Sequence, residues 1–221
     1  MEKENTTKIG GEILLGIIFA LELYALPMQF YLLLNTPGFS FFDAAIRFFS
    51  FFTIVTNTLV AFCSAVILFG GNFKITKFFN KTSTITAITV YILIVSLVFN
   101  LVLRAIVNLQ GLHLIVSEIF HTVVPALFLF FWFFYTKIER ISFRLIPIWL
   151  IYPIIYVVYT LLHGILTDFY PYPFIDVTKL GFPVAITNGL FVLLAFAVLS
   201  FVLILILKIR TRVKTLYFKL L

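Results

Sequence analysis

Apolar residues fall into six long runs along this chain, at about 13–34, 44–70, 85–107, 114–135, 145–163 and 182–207, separated by short polar connections. Each run is long enough, at ~1.5 Å of helix rise per residue, to cross a hydrocarbon core of ~30 Å. In lipid such a run has one stable form, the α-helix, because a helix satisfies its own backbone polar groups. The pattern predicts an all-α polytopic membrane protein: a six-transmembrane-helix bundle that forms a single integral membrane domain over residues 1–221. The first run carries Glu22 and has no small-residue cleavage site in the right place, which argues against a cleaved signal peptide. Its Pro27 is placed to kink the helix.

The polar positions are most regular in the second run. In FFSFFTIVTNTLVAFCS, residues 48–64, Ser50, Thr53, Asn57 and Ser64 are spaced by three, four and seven. Those steps put all four on one helical face. A polar stripe in lipid gains nothing unless it meets protein or a cavity. It is read here as the wall of an internal site.

Composition changes the picture only by narrowing it. Hydrophobic residues make up 62% of the chain and charged residues 11%, too few charges to cover a soluble domain of this size. The net charge of +7 is basic, yet Lys and Arg sit at the ends of the runs, as topology signals do, so no nucleic-acid partner is expected. Counted over alternate sides, the flanking Lys and Arg total 13 against 3. By the positive-inside rule both termini are cytoplasmic, in a multi-pass protein of the cell membrane. The basic tail KIRTRVKTLYFKLL, residues 208–221, is expected against anionic headgroups, which makes membrane lipids the expected partners. The one cysteine, Cys63, excludes an intrachain disulfide.

Orientation converts position into depth. Thr53 lies roughly 10 Å below the outer surface, with Thr56 and Asn57 a turn deeper. Asn100 falls at a similar depth and Arg104 near the rim. Glu118, His121 and Thr122 occupy the first turns of the fourth run. His163 ends the fifth, and Thr187 and Asn188 lie less than three turns into the sixth. The inner half is almost wholly Leu, Ile, Val and Phe. A polar layer in lipid is costly and marks a candidate site. Plainer readings stand beside it. Membrane Thr and Ser commonly bond their own i−4 carbonyl, and Asn57, Asn100 and Asn188 suit interhelical hydrogen bonding. Arg47 and Arg104 are placed to snorkel to phosphate, and His113 sits in an interfacial loop. Glu22 must be paired or protonated within the bundle, since an isolated ionised carboxylate there would cost several kcal/mol.

His121 differs from the other histidines. Glu118 precedes it by one turn, and Pro125 follows at i+4. Proline cannot donate to the His121 carbonyl, so the helix bends there and leaves that carbonyl open. An imidazole with a carboxylate within a turn has the parts of an oriented general base. A threonine hydroxyl needs such a base to act as a nucleophile, and Thr53 is the candidate.

The segments FFTIVTN at 51–57, FHTVVPALFLF at 120–130 and the LLH…YPF arrangement at 161–174 resemble the androgen-induced family of multi-span membrane proteins, and most of all its prokaryotic six-span branch. The resemblance covers most of the chain from the second run to the sixth. It implies hydrolysis of fatty-acid esters of hydroxy fatty acids, with Thr53 as nucleophile and His121 as base. This chain has Thr56 where the animal sequences carry an acidic residue, and a different spacing before its Tyr-Pro-Phe.

The expected function is thus an intramembrane threonine hydrolase of lipid esters. Thr53 and His121 are catalytic. Asn57, Asn100, Arg104, Glu118, His163 and Asn188 are substrate-binding, with an asparagine stabilising the oxyanion and Arg47 or Arg104 holding a fatty carboxylate. A metal-dependent hydrolase would need three or four convergent ligands. Only one Glu-x-x-His pair occurs among His113, His121, His163 and Glu118, so no metal is expected. A retinal site would need a lysine inside a late helix, and the sixth run has lysines only near its ends; no cofactor is expected. The alternative is a non-enzymatic membrane transporter or lipid-binding protein, for which Glu22 and Pro27 are the supporting residues.

Overall fold

The computed structural model describes residues 2–220, with side chains except at 2–5, 7 and 217–220. The chain is all-helical, with no strand among the described residues. Six helical segments there are long and apolar enough to cross a membrane: Lys8–Leu34, Phe52–Phe69, Thr82–Leu103, Gly111–Tyr135, Phe143–Thr167 and Phe182–Leu216. The helices group into two compact units, Met1–Lys137 and Ile138–Leu221.

The first unit opens with α1 (Glu2–Leu34), which continues as a helix through Pro27. Next comes α2 (Phe41–Ser50), started by a reciprocal cap. The Asp43 amide donates to Ser40 Oγ at 3.2 Å and the Ser40 amide donates to Asp43 Oδ2 at 3.0 Å. Hydrogen bonds from the Ser40 side chain and backbone hold the Asp43 carboxyl below its usual range. The second apolar run is not one helix. Phe51 adopts an extended conformation, φ −86° and ψ 126°, and separates α2 from α3 (Phe52–Phe69). Ser50 therefore leaves the stripe read from the sequence. It ends α2, where its hydroxyl donates to the Ile46 carbonyl at 2.7 Å. Thr53, Asn57 and Ser64 keep to a buried face of α3.

A short α4 (Lys74–Phe79) leads to α5 (Thr82–Val98), α6 (Gly111–Glu118) and α7 (Val124–Tyr135). α5 runs straight into a π-helical turn, Phe99–Leu103, and a second π turn, Ile119–Val123, joins α6 to α7. Packing is cyclic: α1 lies against α3, α3 against α5, α5 against α7, and α7 against α1. Ile18, Val60, Val90, Ile92, Val124 and Phe128 fill the middle, each at most 0% exposed. Trp132 Nε1 donates across this core to Thr86 Oγ1 at 2.9 Å.

The second unit holds α8 (Ile146–Thr167) and α10 (Phe182–Leu220), packed on each other and joined by a loop that contains α9 (Val177–Leu180). Asp168 ends α8 in the left-handed region, φ 54°. Tyr170 then folds back onto Gly164, so closely that a Cβ there would meet the tyrosine ring. Gly189 in α10 has open space around it instead. Gly164→Ala is expected to destabilise the protein by about 1–3 kcal/mol through overpacking. Gly189→Ala should stabilise by roughly 0.5–1 kcal/mol through helix propensity. Thermal unfolding of the purified protein in detergent measures both; equal shifts would mean that the Tyr170 contact is not maintained.

Candidate functional site

A group of polar residues of the first unit gathers where the two π turns meet the start of α3. The second π turn has a local cause. Pro125 has no N–H to give the His121 carbonyl, so the regular ladder fails there. The Val124 amide reaches back five residues to the Ile119 carbonyl instead. The carbonyl that Pro125 leaves open is taken from another helix: Asn100 Nδ2 donates to His121 O at 3.1 Å. Asn100 lies in the first π turn, and the same amide donates to the Ser96 carbonyl at 2.9 Å. The aromatic ring of Phe99 stacks on the His121 imidazole, with centroids 3.8 Å apart and planes 14° apart. Each irregular turn is thus buttressed by the other.

His121 Nδ1 lies 2.8 Å from the Ser117 carbonyl and 3.1 Å from Ser117 Oγ. A carbonyl only accepts, so Nδ1 carries the ring proton and Nε2 presents its lone pair. Nε2 lies 3.3 Å from Thr53 Oγ1, in the first turn of α3. In this tautomer the Thr53 hydroxyl donates to Nε2. That is the arrangement a base needs to take a proton from a nucleophile, at a distance within the looser range of unliganded sites.

Glu118 was anticipated as the group that orients His121. It turns elsewhere. Its Oε1 pairs with Arg104 Nη1 at 2.6 Å, and its Oε2 accepts from Thr122 Oγ1 at 2.8 Å. Arg104 Nε donates to Asn100 Oδ1 at 2.8 Å, and Nη2 to Thr122 Oγ1 at 3.2 Å. The guanidinium is held fully charged first by its hydrogen bond to Glu118. These four side chains form a closed polar cluster that ends on the His121 carbonyl. Arg104 is therefore engaged with Glu118 rather than extended alone toward headgroups. Thr122 also departs from expectation, because its hydroxyl serves the Glu118 carboxylate and not its own i−4 carbonyl. Thr187 does follow the commoner habit, donating to the Pro183 carbonyl at 2.8 Å.

The three asparagine amides each make a bond within the protein. Asn57 Nδ2 donates to the Thr53 carbonyl at 2.8 Å, and its Oδ1 is buried without a partner, an acceptor and not a donor. Asn100 spends its amide on Ser96 and His121. In the second unit, Asn188 Nδ2 donates to the Phe174 carbonyl at 2.8 Å, which ties the loop to α10. Each side chain sits within reach of an open helical or loop carbonyl, and that local bond wins. His163, also in the second unit, has Nδ1 3.3 Å from Thr167 Oγ1, while its Nε2 is buried and unpartnered.

Two further residues complete the account. Glu22 of α1 is wholly buried, and neither carboxyl oxygen has a hydrogen-bond partner among the described residues. Of the two states anticipated for it, pairing is not the one found. Ser117 was missed in the sequence. It lies four residues before His121, the spacing at which a helical side chain meets a preceding carbonyl, and that spacing was the available signal. No group of three or more His, Cys, Asp or Glu able to hold a metal ion occurs among the described residues. Comparison with protein-family models, curated proteins and solved structures returns no match to this chain.

Proposed function

We propose that this chain is an integral membrane protein, multi-pass in the cell membrane with both termini cytoplasmic, and an intramembrane threonine hydrolase acting on fatty-acid esters. The observation that carries the reading is the 3.3 Å approach of Thr53 Oγ1 to His121 Nε2, with the opposite ring nitrogen held by the Ser117 carbonyl. We also propose membership of the androgen-induced family, on the motifs at 51–57, 120–130 and 161–174.

The chemistry follows from the pair. Thr53 Oγ attacks the ester carbonyl carbon as Nε2 takes its proton. The tetrahedral intermediate then collapses. The bond to the alcohol oxygen breaks, and the imidazolium returns the proton to the departing alkoxide. Water attacks the acyl-threonine with the same imidazole as base, and the fatty acid leaves. A backbone carbonyl fixes the imidazole's tautomer and orientation here. It stabilises the imidazolium less than a buried carboxylate would, so a modest turnover is expected.

The test is hydrolysis of fatty-acid esters of hydroxy fatty acids by the purified protein, with a fluorophosphonate or activated-acyl probe to report the nucleophile. A wild type inert to both would overturn the enzymatic reading in favour of a transporter or lipid-binding protein, which draws on the buried, unpartnered Glu22. Orientation is tested separately. With Cys63 replaced, single cysteines placed in 72–82 should be shielded from an impermeant maleimide in intact cells, and those in 166–179 should react. Reaction of the first set from outside would overturn the topology.

A further inference from the structure

The first unit has a cleft at the other end of the helices that carry Thr53 and His121. Thr53 begins α3, whereas Ile67 and Leu68 near its end line this cleft; His121 precedes α7, whereas Phe131 and Tyr135 near its end line it. The cleft encloses about 860 Å³. That lies within the range of small-molecule sites, roughly 300–1,000 Å³.

Its chemistry is divided. Leu15, Ile67, Leu68, Ile85 and Phe131 give it apolar walls, and Lys8, Thr136 and Lys137 bring polar groups to it. Tyr135 closes one side by lying across Gly10 and Gly11 of α1, where any Cβ would come within 3.0–3.3 Å of its ring or hydroxyl. Thr136 is 6% exposed, and its Oγ1 has no hydrogen-bond partner. A buried hydroxyl without a partner is uncommon and points to a missing one. Lys8 is offset by Glu12 at 3.7 Å, but Lys137 has no ion pair among the described residues, which leaves the lining with one net positive charge.

An apolar slot with ammonium groups and an unsatisfied hydroxyl matches an amphiphile with an anionic head. We propose that this cleft binds an anionic phospholipid, its phosphate held by Lys137, Lys8 and the Thr136 hydroxyl and its acyl chain along the Leu15–Phe131 walls. The site is separate from Thr53 and His121 and does not depend on their being catalytic.

Native mass spectrometry of the full chain from detergent, with added phosphatidylglycerol, phosphatidylcholine or inorganic phosphate, tests it, alongside thermal unfolding in the same three additives. One retained phosphatidylglycerol and a rise in melting temperature specific to it are expected. The double variant Lys8→Gln/Lys137→Gln should weaken retention by about 10-fold or more. Lys74→Gln/Lys77→Gln removes the same charge outside the lining and should leave retention unchanged. Equal loss in both doubles would reduce the effect to general surface attraction and overturn the site. So would equal retention of phosphatidylcholine, or protection by inorganic phosphate as large as that by the lipid.

Discussion

Thr53→Ala is expected to abolish labelling by the acylating probe and to lower ester hydrolysis by at least about 1,000-fold, and His121→Ala to do the same. The two losses should not add. In the proposed mechanism nucleophile and base act in one step, so removing either leaves only binding and the surrounding dipoles. Three other variants separate this from general damage. Thr56→Ala lies one turn from Thr53 on α3 and should keep both labelling and turnover. Ser117→Ala deletes the hydroxyl beside Nδ1 but leaves the carbonyl at 2.8 Å, so it should cost less than about 10-fold. His121→Gln should be as inactive as alanine while preserving the fold. Rates for free and probe-blocked protein, with melting temperatures for each variant, decide the matter. Full activity in Thr53→Ala would end the hydrolase reading.

The second large effect is expected at a residue with no chemical role. Pro125→Ala returns an N–H to the position that can bond the His121 carbonyl. That bond competes with Asn100 and favours a regular α turn over the π turn at Ile119–Val123. Removing the extra residue from the turn rotates the helix preceding it, and with it the His121 ring. Displacement of a base by about 1 Å costs on the order of 100-fold in rate. Turnover should therefore fall by about 10- to 100-fold, while the melting temperature stays level or rises, because an interior proline is the poorest helix former. Circular dichroism and the ester assay on one preparation read both quantities. Unchanged turnover would mean that the π turn does not set the position of His121.

Much of the fold was legible because lipid leaves few choices. Six long apolar runs in an all-α chain can be read from hydropathy, and six helices of that kind are found. The break at Phe51 was hidden because FFSFF carries no Gly or Pro to announce it. Both π turns were hidden as well. Hydropathy reports which face is buried, not whether a turn closes on the fourth or the fifth residue. Pro125 revealed the vacant carbonyl, but only the packing of α5 against α7 brings Asn100 to it. Glu118 and Ser117 both lie one turn before His121, and the sequence favoured the carboxylate. Arg104, 14 residues away and on another helix, settles the competition by pairing with Glu118. Asn57 and Asn100 each donate to the carbonyl four residues back, a contact that any helix offers without a ligand.

The extended residue at Phe51 also bears on how this chain would match a bilayer. By ending the helix there, it limits α3 to 18 residues, about 27 Å, just under a ~30 Å hydrocarbon core. α10, by contrast, carries an apolar run over 182–207, longer than a core of that thickness needs, and in such a bilayer it would tilt or protrude. A bilayer with longer acyl chains would therefore be pinched around α3 and little disturbed around α10. Thr53 is the second residue of α3, so in a membrane its depth relative to the ester linkages of neighbouring lipids would be set by hydrophobic mismatch. Under the proposed function, the thickness of the host membrane would then control what the pair can reach, without any ligand.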